Sequence, residues 1–353
     1  VTIGFAFHAF ASFLAAVEYR IAQGEDPGRI LSQLKPGDAL LVQPGVYERQ
    51  WTISGLCGKA ESPIVIRSAD PASQKPLFRP RDGRDGILFW GEPSEHVIIE
   101  GLRFEQAPRA GIVVYKSAFI TIRNCEMISN GVWGIQTCLS DSITVESNEL
   151  AWSQKEHGVY FSTTDHPVAR GNSIHHNNRC GIHVNGDKAE GGDGMVTGGL
   201  VEGNHIFENG RDGGAGINMD GVEETTVRSN RLERNYAGGI VSFVTDGRES
   251  GSRNTFDGNK VLFRQGQGRY GLKVVGTPSG IEVTGNMIIC GRGPAIELES
   301  SAVPGIRSDN NQLGVRHANG LIRIDDKALT LDEWRKMSSQ DAHSSMLDLK
   351  IAL

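Results

Sequence analysis

The chain has 353 residues, a net charge of −6, 45 glycines and 5 cysteines. A chain of this length can bury a large core, and glycine at this level without a collagen period or abundant proline excludes a fibrous or disordered polymer. The acidic balance argues against a nucleic-acid partner, and Cys57, Cys125, Cys138, Cys180 and Cys290 lack zinc-like spacing, so no metal ligand set is assigned.

Residues 1–16, VTIGFAFHAFASFLAA, carry no Lys, Arg or acid. They read as the apolar part of a secretory signal or, alternatively, as a segment covering the end of the fold. No other stretch is long enough to span a membrane. Residues 27–34, PGRILSQL, predict a short helix at the N-terminal opening.

From Gly86 onward the chain repeats itself. GILFW (Gly86), GIVVY (Gly111), GIQTC (Gly134), GVYFS (Gly158), GIHVN (Gly181), GINMD (Gly216), GIVSF (Gly239), GLKVV (Gly271) and AIELE (Ala295) mostly recur every 23 or 24 residues, with longer gaps after Gly181 and Gly239. Alternating apolar positions within each line predict a strand with one buried face. A second strand follows, as in SITVESN, and a third apolar stretch, as in HIFEN. Three short strands per repeat predict an all-β, right-handed parallel β-helix of about ten coils over residues 17–328.

Asparagines recur at one phase (Asn124, Asn148, Asn172, Asn204, Asn230, Asn259, Asn286) and at a second (Asn130, Asn177, Asn209, Asn235). Both columns run along the array, which marks them as scaffold: asparagine suits bends, tolerates the left-handed conformation and bonds to backbone. LTLDEWRKMSS (329–339) predicts a closing helix with Thr330 as N-cap, within a capping segment over 329–353.

The segment KPGDALLVQPGVYERQWTISGLCGKAESPIVIRSADP (35–71) resembles the opening of secreted β-helix proteins of the pectate-lyase-like group, through Pro36, Gly37, Asp38, Pro44, Gly45 and Tyr47. Alginate- and chondroitin-cleaving lyases and many uncharacterised β-helix repeat proteins share this opening. The resemblance implies an extracytoplasmic protein, secreted, periplasmic or on the cell surface, that meets a polysaccharide. The SVKS-like and LRHG-like strands with the Lys and Arg of those lyases do not occur here, so no catalytic residue carries over.

Equal positions in successive repeats should lie about 4.8 Å apart on neighbouring coils. Outward positions then form a grid: Gln136 and Cys138, Tyr160 and Ser162, His183 and Asn185, Asn218 and Asp220, with His157 at its edge. Elimination on a uronide needs a base for the C5 proton, an acid for the leaving oxygen and groups for the carboxylate. The grid offers His183 as base, Tyr160 as acid and Asn185 and Asn218 toward the carboxylate; a C5-epimerase needs nearly the same set. The expected substrate is an anionic polysaccharide and the expected state a monomer.

Two other readings stay open. A hydrolase would use Asp220 paired with Asp187, and a non-catalytic protein would use the grid only to bind sugar. The insertions after Asn185 and after Phe243 could form walls. Asp187, Glu190, Asp193 and Asp220 make calcium possible without a recognisable calcium loop. His175 and His176 read as structural.

Overall fold

The computed structural model describes residues 16–72, 74–316 and 320–347; the expected leader therefore lies, apart from Ala16, outside the described residues. The alternation in each repeat is realised as stacked parallel strands. Ile112, Ile135, Val159, Ile182, Ile217, Ile240, Leu272, Ile296 and Ile322 align in one inward column. All are buried, and each such side chain removed from water contributes about 1.5–3 kcal/mol.

The solenoid has about twelve turns, not about ten. The difference lies at the N-terminus, where the glycine-led repeat has not yet begun. Glu18–Ile21 already pairs with Ala39–Val42, which pairs with Ile64–Ser68. The Pro-Gly-Asp segment is thus part of the first turns.

The repeating glycine is required by close approach. A Cβ on Gly181 would lie 2.5 Å from Ile206 Cγ2 and 2.8 Å from the Gly216 carbonyl oxygen, and one on Gly158 would lie 2.6 Å from Ile174 Cγ2. Any side chain there would push adjacent coils apart.

The asparagine columns are ladders. Asn204 Oδ1 accepts from the backbone N–H of Asn172 (3.0 Å) and from its Nδ2 (2.9 Å), while Asn204 Nδ2 donates to the Ala169 carbonyl and to Asn230 Oδ1, each at 2.9 Å. Asn177, Asn209 and Asn235 repeat the pattern at the second bend. Two expectations need correction. Asn124 stands one residue before the ladder, whose place on that coil Cys125 takes, its backbone N–H donating to Asn148 Oδ1 at 2.9 Å. The left-handed residue is the one preceding each ladder position, such as Asn124, Ser147, Gly171, Gly203 and Ser229. The ladder residues themselves act through their side chains.

Helices cover both ends, as an open coil would expose apolar core and strand edge. The first is a single turn, Gly28–Leu31, that buries Leu31. The second, Leu331–Ser338, has a capping box between Thr330 and Glu333 and buries Trp334. Trp334 Nε1 donates to Asp341 Oδ2 at 2.8 Å, and Asn311 Nδ2, at the end of the ladder, donates to Asp341 Oδ1 at 3.1 Å. The cap and the ladder therefore close on one carboxylate. No helix among the described residues is long and apolar enough to cross a membrane.

Candidate active site

The outer face of one sheet carries the polar grid, in the register that the repeat predicts. Gln136, Tyr160, His183 and Asn218 are successive neighbours across coils, continuing into Val241, Lys273, Glu297 and Arg323. The second row runs Cys138, Ser162, Asn185, Asp220, Phe243. His157 packs against this grid, its ring centroid 5.5 Å from that of Tyr160 and 4.8 Å from that of His183, while Trp133 stacks on Tyr160 at 5.8 Å.

The histidine pair is ordered by a backbone group. The N–H of Cys180 can only donate, and it points at His157 Nδ1 from 3.1 Å. Neutral His157 therefore carries its proton on Nε2, 3.1 Å from His183 Nδ1. His183 accepts there and keeps its own proton on Nε2, a buried atom without a protein partner. Burial lowers both imidazoles: His157 falls well below its ordinary range, and His183 drops to about 4 even though Asp246 opposes the shift. At neutral pH His183 thus presents an N–H, not a lone pair. The role of base that the sequence suggested for it becomes that of a hydrogen-bond donor.

The same pattern bears on metal binding. His157, Cys180 and His183 bring ligand atoms within 4.8 Å of one another. A ligating histidine normally donates its other ring N–H to an acceptor. At His157 that position faces a donor, so coordination through Nε2 would require an imidazolate. The set is better explained as a proton-ordered pair beside a buried thiol, which burial pushes up to about 12.

Tyr160 is held for donation. Asn185 Nδ2 donates to its hydroxyl oxygen at 3.1 Å, and burial raises the phenol to about 12. Ser162, fully buried two residues along the same strand, has an Oγ with no hydrogen-bond partner. With its Nδ2 committed to Tyr160 and, at 3.4 Å, to Asp246 Oδ2, Asn185 has only Oδ1 left, and that atom has no partner; neither has Asn218 Oδ1. These oxygens suit sugar hydroxyls better than the carboxylate expected for them. Gln136 sits half-buried beside Tyr160 on the preceding coil.

Asp220 has a different task from the one expected. It is 1% exposed, and its carboxylate accepts from the backbone N–H groups of Thr245, Asp246 and Gly247 at 2.8, 3.0 and 3.2 Å. Asp187 caps a short turn by accepting from the N–H of Ala189 at 2.9 Å. Both members of the suggested hydrolase pair are thus loop anchors. Asp193 likewise accepts from the N–H of Met195, and among the described residues Asp187, Glu190, Asp193 and Asp220 form no common ligand cage.

The two insertions join into one wall instead of facing each other across the grid. Lys188 N–H donates to the Asp246 carbonyl at 3.3 Å, and Arg248 N–H to that of Gly194 at 2.8 Å. The wall brings in Asp246, which the sequence reading did not single out. Its only signals were the unusual length of that repeat and an Asp-Gly turn, neither of which reveals where the carboxylate lands. His175 and His176 lie away from the grid, bonded to Glu149 and Glu208 and stacked on Phe207 and Trp152.

A family model described as right handed beta helix region matches residues 81–191 and 194–288. The chain belongs to this family. Its fold is similar to that of an alginate lyase from Paenibacillus sp. str. FPU-7, with a TM-score of 0.65 and 18% identity over 76% of this chain and 94% of that one. A mannuronic acid specific polysaccharide family 6 lyase from human gut microbiota aligns with a TM-score of 0.60 and 15% identity, over 89% of this chain and 78% of that one. The A-module of a mannuronan C-5 epimerase from Azotobacter vinelandii aligns at 0.53 and 15%, over 94% and 87%. At these identities the likeness is one of fold, that of polysaccharide lyases and epimerases. No curated protein sequence matches the chain.

Proposed function

We propose that the chain acts outside the cytoplasm on a uronic-acid polysaccharide, removing the C5 proton and leading to β-elimination or epimerisation. One observation carries this reading: His183 Nε2, Asn185 Oδ1 and Asn218 Oδ1, on two adjacent coils, are buried polar atoms that no protein group satisfies. Each such atom costs about 1–3 kcal/mol, and a polyhydroxylated ligand offers complementary partners. All three have almost no exposed surface, so contact with a sugar requires the groups around them to move aside.

In the elimination, His183 Nε2–H donates to the sugar carboxylate and favours the electron-rich form created at C5. The Asp246 carboxylate, beside Asn185, takes the C5 proton. The C5–H electrons form the C4=C5 double bond, the C4–O4 bond breaks, and O4 takes the proton of the Tyr160 hydroxyl; the proton on Asp246 then passes through water to the phenolate. In epimerisation a water on the opposite face gives the C5 carbanion its proton, Asp246 returns its own to the resulting hydroxide, and no bond to O4 breaks. The fold relatives named above, lyases and an epimerase on uronide chains, support this class of chemistry.

The test is incubation with a panel of uronic-acid polysaccharides, following ultraviolet absorbance, reducing ends and proton exchange at C5. Absorbance rising with reducing ends, and lost in Tyr160→Phe and Asp246→Asn, is the elimination result; exchange alone is epimerisation. Reducing ends without absorbance, or silence in all three signals, overturns the proposal.

A further inference from the structure

Beyond Asn218 the outer face changes character. Val241, Phe243, Ala215 and Tyr270 form a small apolar cluster apart from the main core. A cavity of about 520 Å³ opens over it, reaching from Asn218 to Arg323. It begins one coil, about 4.8 Å, from His183.

Its charges are unbalanced. Lys273, Glu297 and Arg323 are consecutive neighbours in the outer row, and Glu297 pairs with both cations, with Lys273 Nζ at 2.8 Å. Arg269 also lines the cavity, is exposed and has no ion-pair partner among the described residues. Three cations against one acid leave a charge of +2 in a protein whose net charge is −6. The positive excess is therefore local to this cavity.

We infer that this cavity is an anion-selective sugar subsite, in which Arg269 meets the acidic group of a residue next to the reacting one while the Tyr270–Phe243 surface takes its apolar face. The inference rests on the polysaccharide reading above and deepens it: the substrate carries negative charge on neighbouring residues too. Carboxylate and sulfate share the required chemistry. Arg269 is the specific group because it has no ion-pair partner among the described residues, whereas Lys273 and Arg323 share Glu297.

Calorimetric titration of the Tyr160→Phe chain, with and without Arg269→Ala, tests this. The probes are a mannuronate hexasaccharide, its carboxyl-reduced form and a sulfated neutral hexasaccharide. Loss of one charge-assisted contact is expected to raise Kd for the charged probe about tenfold. The reduced probe should not respond to Arg269→Ala, the effect should fade at high salt, and Arg269→Lys should restore part of it. Response to the sulfated probe alone keeps the subsite and names its anion. An unchanged Kd for both charged probes, an equal loss with the reduced probe, or no binding of either charged probe overturns it. Charge-dependent binding by a chain that turns nothing over would sink the enzymatic reading and leave the subsite standing. Turnover indifferent to Arg269 in binding and in KM would do the reverse.

Discussion

The asparagine ladder and the catalytic-looking grid are built by the same repeat, on the same coils, from overlapping residue types. In the ladder every amide is answered: Asn172, Asn204 and Asn230 give and receive hydrogen bonds on both sides. On the grid, Asn185 and Asn218 each keep an unanswered oxygen and His183 an unanswered N–H. A polar residue repeated at one phase finds its own copy one coil away. A polar residue that occurs on only a few coils finds something different beside it. Repetition satisfies the ladder, whereas the grid keeps polar groups that the protein does not answer.

This contrast can be broken most directly at its stable end. Asn204→Ala removes four hydrogen bonds and leaves buried backbone and amide groups unpaired. The expected loss is about 3–5 kcal/mol in urea unfolding. Asn218→Ala should cost less than about 1 kcal/mol, because it deletes an oxygen that the protein never satisfied. Equal losses would erase the distinction between ladder and grid.

A second contrast lies in pH. Folded His183 titrates at about 4 against an ordinary 6.5, so between these values the unfolded chain binds the extra proton. Its contribution to stability is full above about pH 6.5 and disappears as pH falls toward 4. The whole span is at most about 3 kcal/mol, and the ladder amides contribute nothing to it. Unfolding midpoints from pH 7 to 4 should fall less steeply in His183→Gln, the remaining slope coming from buried His157; an unchanged slope would remove His183 from the account.

Activity separates the regions further. Tyr160→Phe is expected to lower kcat by about 10²–10³-fold while leaving the melting temperature nearly unchanged. Asp220→Asn should act through the wall, since it weakens the grip on three backbone N–H groups. It should lose about 1–2 kcal/mol of stability and raise KM more than it lowers kcat. A kcat loss as large as that of Tyr160→Phe would mean that Asp220 meets substrate after all.

By itself the sequence determined the solenoid, its register and the membership of the grid. Repeats of 23 or 24 residues close one coil each, so residues at equal phase must become neighbours, and Gln136, Tyr160, His183 and Asn218 did. It undercounted the turns, because the first ones lack the leading glycine, and it set Asn124 one place out of the ladder, because Asn is also at home in the left-handed position beside it. Tertiary structure alone decided what each grid residue can do. Asp220 became an anchor, Asp246 arrived beside Asn185, and His183 became a donor through a backbone N–H one residue before Gly181. Period determines position along the stack, whereas insertions have no period, and the direction of a proton depends on which single group stands opposite.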